Sequence, residues 1–241
     1  MQSTRAAVIL AAGVGSRLRP LTDDKPKALV EVSGKTILGR AVDALSAYGI
    51  ERLVVATGYR DDAIRAALAG SRLDVVYRKN PRYETTQNSV SLALCRDALA
   101  GSAFFKLDGD VLFDPGLLER IDATTGMLSV AVDRGVDLDP EAMKVQIDEG
   151  GRITAFGKGI AVESAAGESI GIERVSASAS ASLFDALDEA INQGETGLYY
   201  EDVYSRLIED GLVASLVDVS DQRWCEVDSS EDLARAALLF P

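Results

Sequence analysis

The sequence has no histidine, only two cysteines, one tryptophan and six prolines in 241 residues, and its 25 Lys and Arg are outnumbered by 38 Asp and Glu. Each shortage removes a class of function. Without histidine there is no Ser-His-Asp or Cys-His nucleophile and no histidine zinc site. Cys95 and Cys225 lie far apart, and neither belongs to a C-x-x-C pair. They read as thiols of a reducing compartment, the cytoplasm. A formal charge of −13 argues against nucleic acid and anionic membrane as partners, since both are held through excess Lys and Arg. No apolar run approaches the roughly 20 residues of a membrane span. Ala6–Ala12 is short and runs into Gly13, Gly15 and Arg17 without the pattern of a signal-peptide cleavage site.

What is present is a chain of 47% apolar residues, enough to bury a full core. Its first half alternates strand and helix. Ala6–Leu10 is a continuous apolar run, as in a strand buried on both faces. Thr36–Tyr48 has helical spacing and stops at Gly49. Strands are expected at Leu53–Thr57, Leu73–Tyr77 and Ala103–Leu107, with helices at Asp61–Ala69 and Gln87–Leu99. This rhythm predicts an α/β fold: a Rossmann-like, mostly parallel mixed sheet flanked by helices, with ligands beyond the carboxyl ends of the strands.

The second half changes rhythm. Leu128–Val132 is a strand, and Met143–Ile147 and Ile153–Phe156 flank Asp148-Glu149-Gly150-Gly151 as a β-hairpin. Strands are expected at Ile170–Val175, Leu216–Val219 and Trp224–Val227, and helices at Ala181–Asn192 and Val203–Glu209. Ser176–Ser182 reads as a turn into a helix. The last helix starts at Ser229, with Asp232 as its capping-box partner. No linker or repeat is visible. The reading is one domain over 1–241, with a nucleotide-binding half (1–125) and a hairpin-containing acceptor half (126–241).

The sharpest feature follows the first strand: Leu10-Ala11-Ala12-Gly13-Val14-Gly15-Ser16-Arg17-Leu18-Arg19-Pro20, then Lys25-Pro26-Lys27. Small residues let backbone N–H groups approach an anion, Arg17 adds a forked phosphate donor and Lys27 a point charge. It is not a dinucleotide fingerprint, because Leu18 stands where the third glycine belongs. Gly34-Lys35-Thr36 is not the end of a P-loop, because Leu29 stands where that motif opens on glycine.

The run A-A-G-x-G-S-R-L-x-P-L-T-x-x-x-P-K-A-L-V resembles the signature of the sugar-phosphate nucleotidyltransferase superfamily. Those enzymes join a nucleoside triphosphate to a phosphorylated small molecule and release pyrophosphate. The resemblance extends along nearly the whole chain. It implies that Leu10, Ala11, Ala12 and Gly13 line the base and ribose. Gly15, Ser16 and Arg17 would hold the β- and γ-phosphates, and Lys27 would sit near the α-phosphate and the incoming phosphate. In-line attack at phosphorus is served mainly by alignment and electrostatic stabilisation. A phosphate monoester is already a nucleophile at neutral pH, so a histidine-free chain suits the reaction.

Asp108-Gly109-Asp110 follows a buried strand, and Asp110 matches the superfamily's metal aspartate. Trp224-Cys225-Glu226-Val227-Asp228-Ser229 is similar to a distal W-x-D-x-[GD]-[ST] element, in which Glu226 occupies the place of the second metal aspartate. Glu226 and Asp228 are both candidates, and Mg²⁺ is the expected cofactor, since it takes a few carboxylates plus phosphate oxygens. Arg17, Lys27 and Asp110 form the expected catalytic set.

Thr85–Leu92 lacks the glycine-rich element of the sugar-nucleotide branches. It is more similar to the bacterial phosphocholine cytidylyltransferases, with Asn88 and Ser91 matching a polar N-x-x-S-L helix start that would read cytosine. Glu141–Val145, Gly167–Ile172 and Leu198–Asp202 also resemble that group, and the first of these resembles the inositol-phosphate cytidylyltransferases too. Tyr199, Tyr200, Glu168, Glu201 and Asp202 are then expected around an amine head group, which aromatic faces and carboxylates bind well. Ala142 stands where an aromatic wall is expected in the choline enzymes. Ethanolamine phosphate, aminoethylphosphonate, another amino-alcohol phosphate or a polyol phosphate therefore stay open beside phosphocholine. The expected partners are CTP, or another nucleoside triphosphate, and a small phosphorylated acceptor. The alternatives are an NDP-sugar pyrophosphorylase, an inositol-1-phosphate cytidylyltransferase and, further off, a metal-dependent glycosyltransferase using Asp108-Gly109-Asp110. The sequence fixes no oligomeric state; a homodimer is among those it allows.

Overall fold

The computed structural model of the protein describes residues 4–241. In chain order the elements are β1 (Ala6–Ala11), β2 (Glu31–Val32), β3 (Lys35–Thr36), α1 (Ile37–Tyr48), β4 (Arg52–Thr57), α2 (Asp61–Leu68), β5 (Asp74–Lys79), α3 (Asn88–Ala93), α4 (Arg96–Leu99) and β6 (Phe104–Asp108). They continue with β7 (Val111–Phe113), α5 (Gly116–Asp122), β8 (Leu128–Asp133), β9 (Lys144–Ile147), β10 (Arg152–Gly157), β11 (Gly167–Val175), α6 (Ala177–Asn192), α7 (Tyr200–Glu209), β12 (Ala214–Asp218), β13 (Trp224–Glu226) and α8 (Ser230–Leu239).

Nine strands form one mixed sheet in the order β5-β4-β1-β6-β11-β8-β12-β10-β9. The four strands β5, β4, β1 and β6 run parallel, and β11 runs antiparallel to β6 and to β8. The β9–β10 hairpin closes back, because β9 also pairs with the start of β11 through Gly167↔Val145 and Glu168↔Lys144. Strands from both halves of the chain thus share one sheet.

Along β1, Ala7, Ile9 and Ala11 face one core and Ala6 and Val8 the other. That is the pleat of a strand covered on both sides, and it explains the unbroken apolar run. The first core takes Leu38 and Leu45 of α1, Ile64 of α2 and Leu117 of α5. The second takes Leu92 of α3, Phe184 of α6 and Tyr200 and Tyr204 of α7. A third, smaller cluster packs Leu18, Val30 and Ile37, which follow β1, against Leu112, Cys225, Val227, Ala236 and Phe240. It draws the end of the chain onto the first loop.

The structure departs from the sequence reading at several elements. The helix expected over Gln87–Leu99 is two helices, α3 and α4, broken at Cys95, which leaves the helical region at φ −90 and ψ 0. The run expected as a turn, Ser176–Ser182, is mostly the first turns of α6: Ser176 is the N-cap, its hydroxyl accepting the Ala179 N–H at 3.2 Å. Helix α7 starts at Tyr200, three residues before the expected Val203, because Asp202 accepts the Tyr199 N–H at 2.7 Å and caps it. Helix α5 and the short strand β7 were not expected. The predicted cap at Ser229 and Asp232 is present. Among the described residues no helix is long and apolar enough to cross a membrane.

Candidate active site

One cavity of about 940 Å³ opens at the carboxyl ends of β1 and β6. The loop after β1 forms one wall. Gly15 is left-handed there (φ 69), and a side chain at that position would run into the Lys27 stem. Thr22 closes the loop by donating its hydroxyl to the Gly15 carbonyl at 2.8 Å. Leu10, Ala12, Gly13, Gly15, Ser16, Arg17 and Lys27 line the cavity. Ala11 does not; its place on the pleat puts it in the first core.

Opposite the loop, β6 ends at Asp108 and turns through Gly109, whose N–H donates to the Leu10 carbonyl at 3.0 Å. A side chain on Gly109 would clash with that carbonyl, so the D-x-D turn needs glycine in its middle. Strand β13 pairs with β7 (Glu226↔Val111), and the Val227 N–H donates to the Asp110 carbonyl at 3.1 Å. These bonds bring Glu226 and Asp228 beside Asp110, more than a hundred residues away in sequence. The three carboxylates offer oxygens within 4.8 Å of one another.

The two sets of charges meet. Lys27 Nζ lies 2.7 Å from Asp110 Oδ2 and also pairs with Asp228 Oδ1, while Arg17 reaches Asp228 Oδ2 at 2.8 Å. Burial works against the Lys27 charge, but Asp110 and Asp228 outweigh it and hold the lysine above its ordinary value. Burial, and then the charges of Asp110 and Asp228, push Glu226 up to about 8. Asp110 Oδ1 is buried and has no hydrogen-bond partner among the described residues. Three converging carboxylates, one with an orphaned oxygen, fit a hard divalent cation.

The expected base-reading residues line the cavity, and each is also tied into the fold. Asn88 Oδ1 accepts the Tyr200 N–H at 3.0 Å, and Ser91 Oγ accepts from Asn80 at 3.1 Å. Of the expected head-group residues, Glu168, Tyr199 and Glu201 line the cavity. Tyr200 and Asp202 do not. Tyr200 is fully buried and donates its hydroxyl to Asp108 Oδ2 at 2.8 Å, and Asp202 is the helix cap just described. Tyr199 is the extended N-cap of α7 (φ −74, ψ 156) and Tyr200 its first helical residue, and only Tyr199 lines the cavity. Lys106, on β6 two residues before Asp108, is 0% exposed and does not line the cavity.

Several lining residues escaped the sequence reading, Asp133, Asp139, Met143 and Lys158 among them. Trp224 also lines the cavity, its Nε1 donating to Asp133 Oδ2 at 2.7 Å. Lys158 lies 3.0 Å from Glu141 and 5.4 Å from the Tyr199 ring centre. Apart from Trp224 in the W-x-D-like element and Met143 in Glu141–Val145, no local pattern marks these residues; only the fold assembles them.

The MobA-like NTP transferase domain family matches residues 7–199 of this chain. The chain belongs to that family. As an NTP transferase domain it is a nucleotidyltransferase. It is 31% identical over 250 residues to the CMP-5'-(3-aminopropyl)phosphonate synthase of Streptomyces rubellomurinus, an alignment covering 97% of this chain and 38% of that protein. The chain therefore spans well under half the length of that relative. It is 27% identical over 248 residues to the CTP:phosphoglutamine cytidylyltransferase of Campylobacter jejuni, covering 94% of this chain and 97% of that one. The solved structure of the inositol-1-phosphate CTP transferase from T. maritima shares the fold, with a TM-score of 0.85 and 26% identity over 99% of this chain and 95% of that one. The family match stops before β13, and pairing with β7 places Glu226 and Asp228 at this cavity.

The buried carboxyls in and beneath this cavity set a pH dependence. Burial, then like charge nearby, pushes Glu168 and Glu173 up to about 7 and, together with Glu226, Glu201 up to about 8, although Lys106 pulls Glu173 and Glu201 back. Each binds its proton more tightly folded than unfolded. Its stabilising contribution is complete below about pH 4.5 and is lost as pH rises through 7 to 8. Carboxylates held below their usual range, such as Asp61, act only below about pH 4 and leave this window unchanged. Without nucleotide or metal, the protein should melt at a lower temperature at pH 8.5 than at pH 5.5. A melting temperature that is flat or rises over that range, followed by circular dichroism, would contradict this.

Proposed function

We propose that this domain is a Mg²⁺-dependent cytidylyltransferase that couples CTP to a small phosphorylated or phosphonylated acceptor carrying an amine, with release of pyrophosphate. The observation that carries the reading is the meeting of Lys27 and Arg17, from the phosphate loop, with Asp110 and Asp228 in one cavity. The relatives named for CTP and for aminated phosphonate or phosphoglutamine substrates support the nucleotide and the acceptor class.

In this reading the small residues after β1 admit the nucleotide, and Arg17 binds the departing phosphates. Lys27 turns from its carboxylates to the α-phosphate and stabilises the charge that grows there. Asp110, Glu226 and Asp228 would hold the cation, which when bound supplies charge neutralisation to the phosphates. The acceptor's phosphate oxygen attacks the α-phosphorus and pyrophosphate leaves, so no side chain need remove a proton from the nucleophile. The rest of the acceptor lies between Tyr199, Trp224 and Glu168, where aromatic faces and a carboxylate suit an ammonium.

A matrix of nucleotides against phosphorylated acceptors, read by pyrophosphate release, tests this. CTP with an aminoalkyl phosphate or phosphonate should exceed UTP or dTTP with a sugar 1-phosphate at least tenfold; the reverse ranking overturns the reading. Turnover of CTP with inositol phosphate alone would transfer the assignment to polyol acceptors. Tyr199→Ala should raise KM for the aminated acceptor several-fold and spare KM for CTP. An effect confined to CTP would remove Tyr199 from the acceptor side.

A further inference from the structure

The cage foreseen around a ligand's amine exists in part, but the protein fills it. Lys106 Nζ lies 3.4 Å from the Tyr200 ring centre, 3.1 Å from Asp108 Oδ1 and 3.0 Å from Glu173 Oε2, and it donates to the Gly171 carbonyl at 3.3 Å. An aromatic face with carboxylates is the setting that binds an alkylammonium, here supplied by residue 106 of the same chain. Lys106 and Tyr200 take hold of Asp108 from two sides, one on each carboxylate oxygen. Gly171 crowds it from a third: at its φ of 74 a side chain would run into Asp108. Asp108 is also absent from the group of carboxylates that could hold a metal, although it lies only two residues from Asp110.

We propose that Lys106 is a positioning residue for the metal-bearing turn. Its ammonium is the counter-ion that fixes Asp108, and Asp108 fixes the turn through Gly109 that presents Asp110. Glu201 shows what the lysine holds together. It lines the cavity, is 5% exposed, and its Oε2 has no hydrogen-bond partner among the described residues. With Lys106 replaced by a neutral side chain, Asp108, Glu173 and Glu201 would surround the site of a missing cation. Asp108 would then lose one of its two holds, and the turn through Gly109 that presents Asp110 would no longer be fixed. The inference rests on the metal-dependent reading above for both its metal-binding and its turnover measurements.

The test uses the whole chain with Lys106→Met and Lys106→Ala, and Mn²⁺ as the metal probe, followed by its EPR signal with CTP present. Lys106→Met should stay folded, bind Mn²⁺ at least tenfold more weakly and lose at least a hundredfold in kcat, with KM for CTP changed less than threefold. Lys106→Ala should recover turnover when n-propylammonium is added and should not recover with n-propanol, which fills the same space without charge. Mn²⁺ affinity and kcat within threefold of wild type in Lys106→Met would overturn the proposal, as would equal rescue by propanol. If neither variant folds, Tyr200→Phe removes the other hold on Asp108 and should weaken Mn²⁺ binding in the same direction. Unchanged binding there would also overturn it. A wild-type protein that binds no Mn²⁺ would instead overturn the metal-dependent reading.

Discussion

Lys27→Ala should lower turnover by ~10²–10³, the loss seen when one preorganised charge is taken from a transition state in a water-poor site. The lysine is nearly buried, with its side chain 12% exposed, and carries its charge because Asp110 and Asp228 flank it. Those carboxylates hold the ammonium where the α-phosphate is expected and give it up when phosphate oxygens arrive. Lys27→Met keeps the stem beside Gly15 and should be as slow as Lys27→Ala, which separates charge from packing. Both variants free two carboxylates that the wild type neutralises internally. In the absence of nucleotide they should therefore bind Mn²⁺ more tightly than the wild type while turning over more slowly. Near wild-type kcat in either variant would remove Lys27 from the chemistry.

The second large effect is expected at Asp110. Asp110→Asn keeps the shape of the side chain and removes the charge, so turnover should fall by about 10³ as a main charged anchor of the phosphate chemistry is lost. Stability should move the other way. Asp110, Glu226 and Asp228 crowd like charge into one place, and Glu226 is pushed up to about 8 by its burial and by these neighbours. Removing one charge relieves that repulsion, so the melting temperature at pH 8 should hold or rise. Such opposed effects are expected where a site is built for function at the expense of stability. A variant that is both less stable and still active would contradict the assignment of Asp110 to the site.

Much of this was legible before the fold was seen, for local reasons. Buried parallel strands read as unbroken apolar runs, so β1, β4 and β6 stood out. The phosphate loop stood out because a left-handed turn against a lysine stem leaves room for glycine only at Gly15. Asp110 was marked by following a buried strand. The hairpin of β9 and β10 was marked by two glycines between apolar runs.

What was misread depended on rotation and distance. Tyr199 and Tyr200 are neighbours in sequence, yet the helix begins between them, leaving the extended N-cap at the cavity and the first helical residue in the core, and the sequence does not say where that boundary falls. Lys106 lies in an otherwise apolar strand, and its partners Asp108, Glu173 and Tyr200 come from β6, β11 and α7, so only the fold shows what it does there. Asp202 looked like a ligand and is a cap, since a carboxylate three residues into a helix serves the backbone first.

The chain alone therefore settled the class of chemistry. With no histidine, a loop of small residues carrying Arg17 and Lys27, and acids at a strand's end, it suits transfer at phosphorus through fixed charge, and those features are local. The tertiary structure alone decided which carboxylates stand with Lys27 and which amine occupies the tyrosine cage. Those answers depend on separations of a few ångströms between elements far apart in the chain, and at that range Coulomb energy and burial determine whether a charge binds a ligand, a metal or its own protein.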